Sequence, residues 1–376
     1  MAQPLFPHFS EKTFPMKTLF KNLLTLGLTT VLASGSLLAA DIKERTFKFS
    51  YVQPKESHMG FGAQKFADLV SKKSGGKLTV RVFPNGTLGG DLQTVSALQG
   101  GTIEITTMPP SLLAGLSKEF GAFDLPFLFN DFREADAVLD GPIGKRFMER
   151  LPAGLVGLSY WDHGFRNVSN SKRPIARLED LQGLKLRVVQ TPLMVDTFKG
   201  LGTNAVPMAF TELYTAMESK AVDGQDNPVV AFETNRFYEV QKHLSLTRHV
   251  YNPLIVLFSQ KVWDKLSADE RQILQDAARE TSAEQRRVSR EMEAKALDKA
   301  RSQGTVVTDI TPQERLRLRE RVKPVTEQYT RELGEPLVKE TWPKSTRSAP
   351  ASEAPRPPVA FARTGGRPAA FSFLTT

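Results

Sequence analysis

Four short segments between Gly164 and Pro228 decide how this chain is interpreted. They are Gly164-Phe165-Arg166-Asn167, Gly183-Leu184-Lys185-Leu186-Arg187-Val188-Val189, Pro207-Met208-Ala209-Phe210-Thr211 and Asp223-Gly224-Gln225-Asp226-Asn227-Pro228. Two arginines, a phenylalanine and an amide stand at the ends of short apolar runs. Together these side chains can form a pocket for a small carboxylate.

Arg187 lies late in a predicted strand at residues 184–189. Side chains alternate between the two faces of a strand, so Lys185 and Arg187 share one face. Ligands of open α/β sheets bind outside the carboxyl ends of the strands. A guanidinium at that place can hold a carboxylate through two parallel hydrogen bonds. The alternative, a solvated arginine at the sheet edge, fits the same pattern.

Arg166 carries a weaker signal than Arg187. It follows Gly164 and Phe165 and begins a segment rich in Asn and Ser, which predicts a polar turn. An arginine in such a turn can equally be a solvated surface residue.

Length, charge and cysteine content limit the possible functions. The chain has 376 residues, enough for two domains. Its formal charge is +9, of which residues 1–40 contribute +2 and residues 344–376 contribute +4. The basic character belongs mostly to the ends, so we do not expect nucleic-acid binding. The absence of cysteine excludes disulfides, thiolate metal sites and thiol nucleophiles.

The two ends differ in composition from the middle. Lys17 and Lys21 precede an apolar stretch at 23–38, which predicts a signal peptide within residues 1–40 and a periplasmic location. An uncleaved membrane anchor is the alternative. Met16 suits this signal better as a start than Met1, so residues 1–15 are interpreted as a misassigned start. Residues 344–376, rich in Pro, Gly and Arg, are predicted to be a disordered tail.

The middle of the chain alternates between strand and helix patterns, which predicts a mostly parallel sheet covered by helices. Thr211 is predicted to cap a helix at 212–219. Ser267 and Glu270 fit a capping box that opens a helix reaching residue 303, about 54 Å long and able to bridge two domains. Strands are predicted at 47–52, 78–83, 103–108 and 155–161, and further helices at 61–73, 91–99, 132–139 and 143–150, with a packed loop at 120–129.

The ordered motifs resemble the extracytoplasmic solute receptors of TRAP transporters, the DctP-type binding proteins. The similarity runs from about residue 48 to 337. Its pieces are Gly164-Phe165-Arg166 with Ser169-Asn170, Leu181-Gln182-Gly183-Leu184-Lys185-Leu186-Arg187-Val188, Pro207-Met208-Ala209-Phe210-Thr211-Glu212-Leu213-Tyr214, Asp223-Gly224-Gln225-Asp226-Asn227-Pro228 and Phe237-Tyr238-Glu239-Val240.

The resemblance implies an α/β, periplasmic-binding-protein-like fold with two lobes, a ligand cleft between them and a long helix that spans both. Lobe I would comprise 41–163 plus 253–292, and lobe II 164–252 plus 293–343. It further implies that Arg187 makes the main salt bridge to the ligand carboxylate, that Arg166 assists, that Asn227 binds the same end of the ligand and that Phe210 lines the pocket. Asp226 replaces the glutamate usual in this motif, a change we do not expect to disturb Asn227.

Selectivity beyond the carboxylate must then come from the first lobe. The candidates are Glu56 and His58 after the first strand, Asp91 at the start of a helix and Trp161 at the end of a strand, since ligands contact such positions. For each of them a purely structural role is the alternative.

The sequence thus predicts a binding protein that is not an enzyme, needs no cofactor or metal and acts as a monomer. It would capture a small organic acid, either a C4-dicarboxylate, a sugar acid or a hydroxy acid, and deliver it to the membrane subunits of a TRAP permease. A sensory receptor that docks to a signalling partner is one alternative. A secreted enzyme on the same fold is another, although the histidines lack metal-ligand spacing and no Gly-x-Ser-x-Gly or phosphate-loop motif occurs.

Overall fold

One nine-stranded sheet runs through residues 41–334, the part of the chain that the computed structural model describes. The predicted signal peptide and tail lie outside these residues. The strands are β1 (Arg45–Ser50), β2 (Leu78–Phe83), β3 (Ile105–Met108), β4 (Leu155–Asn170), β5 (Lys185–Val188), β6 (Asn204–Pro207), β7 (Gly224–Pro228), β8 (His243–Ser259) and β9 (Val306–Asp309). Their order is β2-β1-β3-β8-β4-β7-β5-β6, with β9 paired to β8.

The long strands β4 and β8 form the antiparallel centre of this sheet. Parallel pairs lie on either side of them, where β1 pairs with β2 and β3 and β5 pairs with β6 and β7, and β9 pairs in parallel with β8. The prediction of a mostly parallel sheet therefore fails at its centre. The ladder between β4 and β8 shifts register at three places, one of them between Asp162 and Gly164. Gly164 has φ +106°, a backbone conformation that side chains disfavour, so glycine suits this irregularity.

The polar turn predicted at Arg166 is wrong, because β4 continues to Asn170. The segment looks like a turn because it is polar, yet its side chains are buried, and two of them find partners far away in the sequence. Arg166 bonds to Asp226, and Ser169 accepts a hydrogen bond from Gln225. Local composition cannot reveal such long-range pairing.

Helices pack against this sheet, and those predicted at 61–73, 91–99, 132–139 and 143–150 have observed bounds within three residues of the prediction. They are α1 (His58–Lys73), α2 (Asp91–Gly100), α3 (Phe132–Leu139), α4 (Pro142–Glu149), α5 (Pro192–Gly200), α6 (Leu213–Glu218), α7 (Val229–Thr234), α8 (Gln260–Trp263), α9 (Ala268–Ser302) and α10 (Pro312–Leu333). Short 3₁₀ turns occupy Pro110–Gly115, Lys118–Asp124, Leu178–Leu181, Phe210–Glu212 and Phe237–Glu239.

Helix α9 is the long helix that the sequence predicts, and its 35 residues span about 52 Å. The capping box of Ser267 and Glu270 is confirmed, since each side chain accepts a hydrogen bond from the other residue's backbone N–H. The helix packs against α1, β4 and α7, so it contacts elements beside both halves of the sheet. No helix in the described part of the chain is both long and apolar enough to cross a membrane.

The predicted cap at Thr211 is wrong. A 3₁₀ turn at Phe210–Glu212 precedes α6, and no side chain caps that helix. Thr211, the predicted cap, lies inside this 3₁₀ turn and therefore does not precede the first residue of α6. Thr211 is exposed at the rim of the cavity described below.

Candidate ligand-binding site

A cavity of about 320 Å³ lies beside the carboxyl ends of β1 and β5, where the middle of β4 and the start of α2 also reach it. This volume lies at the small end of the usual range for ligand sites, about 300–1,000 Å³. Five of the eight candidate residues line it: Arg187, Arg166, Asn227, Phe210 and Asp91. Their role as ligand contacts stays a prediction, but the fold brings all five to one place.

Arg187 is buried, with 3% of its surface exposed, yet it has no ion pair with any described residue. Its Nε donates to the carbonyl of Met208 at 2.9 Å, which fixes the guanidinium. Neither terminal nitrogen makes a hydrogen bond within residues 41–334. Burial and the charge of Arg166 lower the pKa of Arg187 to about 10, so it remains charged at neutral pH. A buried cation with two unused donors is suited to a carboxylate.

Arg166 is equally buried but is held by protein groups. Its Nε donates to Oδ2 of Asp226 at 2.5 Å, and its terminal nitrogens donate to the Asp226 carbonyl at 2.5 Å and to Oδ1 of Asn252 at 3.1 Å. Burial raises the pKa of Asp226, but the charge of Arg166 and hydrogen bonds from His249 and Arg166 outweigh it. The pKa of Asp226 therefore lies well below its ordinary value. Arg166 reaches the cavity with its charge largely balanced.

Asn227 lies at the end of β7, opposite Asn167 on β4. Its amide donates to Oε1 of Gln225 at 2.5 Å, which uses one of the two amide hydrogens. The second hydrogen remains for the cavity, since no described residue accepts it. The ring of Phe210 lies 6.0 Å from the Arg187 guanidinium carbon and covers it on one side.

Asp91, the first residue of α2, is one of the acidic residues whose charge acts on Arg187. No ion pair forms between Asp91 and Arg187 within 4.0 Å, although their charges interact. Burial raises the pKa of Asp91 to about 7, and the charge of Arg187 opposes the rise. Oδ1 of Asp91 is buried and has no hydrogen-bond partner among the described residues. Oδ2 of Asp91 also makes no hydrogen bond to a described residue but is not fully buried, so this oxygen is available to a ligand hydroxyl.

The other three candidates do not line the cavity. Trp161 is fully buried in an apolar cluster with Phe49 and lies against Gly62, where an added Cβ would come within 2.7 Å of its ring. Glu56 is exposed beside Tyr51. His58 is fully buried one residue behind the wall, and its ring contacts His163, which does line the cavity.

Sequence reasoning missed several polar residues of the wall. Gln53 is buried, and its side-chain oxygen accepts from Asn235 at 2.5 Å, which leaves its own amide hydrogens unused by described residues. The available signal was its position, three residues past the end of β1 at the carboxyl edge of the sheet. The other missed polar residues are Gln93, His163, Gln190, Thr211 and Glu212.

The wall offers binding groups and no evident catalytic set. Within residues 41–334, no three His, Asp or Glu side chains converge as a metal would require. Among the described residues, the lining contains no lysine, and its two arginines are Arg166 and Arg187. The arrangement can hold one anionic group on Arg187 and hydrogen-bond neutral polar groups around it.

Comparison with known proteins gives a consistent result. Residues 49–332 match the family described as bacterial extracellular solute-binding protein, family 7, or DctP. The sugar acid binding protein of Advenella mimigardefordensis, solved with galactonate, is 45% identical with a TM-score of 0.79, covering 80% of this chain and 98% of that one. A TRAP periplasmic solute-binding protein of Sulfurospirillum deleyianum, solved with succinate, is 32% identical with a TM-score of 0.75, covering 80% and 98%.

A sequence relative adds a third ligand class. The 2,3-diketo-L-gulonate-binding periplasmic protein of Escherichia coli is 37% identical over 279 residues, which are 74% of this chain and 84% of the relative. The mixed α/β architecture described above matches that of the two solved solute-binding proteins, which have two lobes.

Proposed function

Because this chain belongs to the DctP family of extracellular solute-binding proteins, we propose that it is the periplasmic receptor of a TRAP transporter for a small acid with one carboxylate and several hydroxyls. It captures this acid without changing it and delivers it to the membrane subunits of the permease. The observation that carries the proposal is the guanidinium of Arg187, buried in the cavity with both terminal nitrogens unused.

In this proposal Arg187 binds the ligand carboxylate through two charge-assisted hydrogen bonds. Asn227 supplies an amide hydrogen to the same carboxylate, and Phe210 shields the ion pair from water, which strengthens it. Arg166 orients this end of the cavity by holding β7 through Asp226. The support is the convergence of these four side chains on a single cavity.

A single carboxylate is favoured by the charges of the remaining wall. Beyond Arg187, the cavity has no other cation without a protein carboxylate partner among the described lining residues. The acidic residues of the lining are Asp91 and Glu212, whose charges already act on Arg187. A second ligand carboxylate would meet negative charge and lose its hydration without compensation. The C4-dicarboxylate option is therefore the weaker one.

Hydroxyl groups suit the same wall. Asp91 offers an unpaired acceptor, and Gln53 offers amide donors. Gln190 and Thr211 add further polar atoms at the rim. An acid with hydroxyls along its chain, such as the aldonic acid bound by the Advenella protein, would pair these groups.

We further propose the lobe boundaries that the sequence predicts, with lobe I at 41–163 plus 253–292 and lobe II at 164–252 plus 293–343. The register shift between Asp162 and Gly164 falls at this boundary. A bulge at that position gives the paired long strands a place to bend, so the lobes can close on the ligand.

Titration calorimetry with four acids tests the proposal. Galactonate and galactarate differ only in the terminal group, an alcohol or a second carboxylate, while hexanoate keeps the carbon count and lacks hydroxyls, and succinate is the short dicarboxylate. We expect galactonate to bind at least about tenfold more tightly than each of the others, since one unpaired buried charge or polar group costs about 1–3 kcal/mol. Equal or tighter binding of galactarate would exclude the single-carboxylate proposal, and failure of all four acids to bind would refute the receptor function for these ligands.

A further inference from the structure

Two buried histidines lie side by side at the wall of the cavity. His58, at the start of α1, is 0% exposed, and His163, at the bulge of β4, is 3% exposed. Nε2 of His58 is 2.7 Å from Nδ1 of His163, and the planes of the two rings differ by 22°. His163 lines the cavity together with Arg166 and Arg187, whereas His58 does not.

Both imidazoles are neutral. Burial lowers the pKa of His58 to about 3. Burial, followed by the charges of His58 and Arg166, holds the pKa of His163 well below its ordinary value, although Asp226 opposes this. A hydrogen bond between two neutral imidazoles contains one hydrogen, so one ring donates and the other accepts.

The second ring nitrogen of His58 decides which histidine donates this hydrogen bond. Its Nδ1 is buried and has no partner among the described residues. If His163 donated, that Nδ1 would carry a hydrogen with no acceptor, and buried N–H groups without acceptors are rarer than unpaired lone pairs. His58 therefore donates from Nε2, Nδ1 of His163 accepts, and the hydrogen of His163 resides on Nε2.

We propose that His58 holds His163 in the Nε2–H tautomer, so that His163 donates a neutral hydrogen bond to an oxygen of the bound acid. This inference rests on the proposed function, because it concerns the same cavity. His163 Nε2 makes no hydrogen bond to a described residue, yet it is not among the buried unpaired atoms, so it faces open space. A neutral donor adds a contact without adding positive charge, which suits a site for a single carboxylate. His58 touches no ligand and acts as a positioning residue.

Nitrogen-15 NMR of the ligand-free protein, labelled at histidine, tests the tautomer directly. We expect His163 to show a protonated Nε2 and an unprotonated Nδ1 at neutral pH. His58→Phe removes the donor, so a second population of His163 with hydrogen on Nδ1 should appear, while His58→Gln, which retains an N–H, should restore the original signal. A wild-type His163 that carries its hydrogen on Nδ1, or that is charged, would overturn the inference.

Galactonate titrations test the contact. His163→Phe should weaken binding about tenfold or more, and His163→Gln should recover most of it, because its amide can donate from a similar position. His243→Gln, on β8 outside the cavity lining, is the control for loss of a histidine. Wild-type affinity in a folded His163→Phe protein would refute the contact. If the wild type binds none of the four acids, the proposed function and the contact both fail, while the NMR signal still decides the tautomer.

Discussion

Neutralising the two arginines of the cavity should change protein stability in opposite directions. Arg187 is buried without a carboxylate partner, and its pKa falls from 12.5 to about 10. One pKa unit corresponds to about 1.4 kcal/mol, so the folded protein disfavours this charge by about 3 kcal/mol. Arg187→Met removes that penalty and loses one hydrogen bond to Met208, worth about 1 kcal/mol. We expect the free energy of unfolding to stay equal or rise by about 1–2 kcal/mol.

Arg166→Met should have the reverse effect. The substitution leaves Asp226 buried at 0% exposure without its cation, and breaking such a pair costs about 3–5 kcal/mol. Thermal melts of the ligand-free variants, with Arg301→Met as a control at an exposed arginine, separate the two cases. At about 2–4 °C per kcal/mol, Arg166→Met should melt at least about 6 °C below the wild type.

Ligand affinity completes this comparison. Despite its higher or equal stability, Arg187→Met should bind galactonate about 10²–10³-fold more weakly, since truncating one partner of a buried charge pair costs about 2–5 kcal/mol. Calorimetry under the conditions of the melts measures this loss. The reasoning is refuted if Arg187→Met lowers the melting temperature by several degrees, or if it binds galactonate as the wild type does.

Three further predictions concern individual residues. Burial raises the pKa of Asp91 from 3.8 to about 7, so its contribution to the free energy of unfolding is fully present below about pH 4 and is lost as the pH rises through 7. Denaturant titrations of Asp91→Asn should lack that loss, and a variant with the same pH profile as the wild type would contradict the prediction. Gly86 has φ +63°, and an added Cβ would lie 2.6 Å from Cγ2 of Thr211, so Gly86→Ala should lower both the melting temperature and the galactonate affinity. The control is Gly75→Ala, which should lower only the melting temperature, because Gly75 has φ +62° but open space around it. Trp161 lies in the apolar core, so Trp161→Phe should reduce the free energy of unfolding by about 1–3 kcal/mol while the folded variant keeps its galactonate affinity in calorimetry; a large affinity loss would argue for a ligand contact.

Local sequence patterns were sufficient to predict those helices, strands and caps that depend on neighbouring residues. The strand Leu78–Phe83 and the helix Phe132–Leu139 have the predicted bounds, because apolar spacing and turn residues define both. The capping box at Ser267 also depends only on residues three apart. The continuation of β4 beyond Trp161 could not be predicted in this way, since Arg166 and Ser169 are satisfied by Asp226 and Gln225, more than 50 positions away.

The site was predictable to the extent that its residues follow strands. Arg187 and Asn227 stand late in β5 and β7, where the sheet edge is expected to bind ligands. Gln53 and His163 were missed because no spacing rule separates a glutamine or histidine that faces a cavity from one that is satisfied in a core. His58 was predicted as a contact, but its partner across the hydrogen bond is the residue that reaches the cavity.

The difference between the two arginines explains why a motif alone does not give the ligand. Arg166 and Arg187 are both buried and both border the cavity, yet Asp226 pairs with one of them and no described carboxylate pairs with the other. Because Asp226 balances Arg166, this end of the cavity offers one cation without a carboxylate partner among the described residues. The number of carboxylates that a ligand can carry must then depend on the other lining residues. Among these are Gln53, Asp91 and a neutral His163, none of which stabilises a second negative charge as a lysine or arginine would.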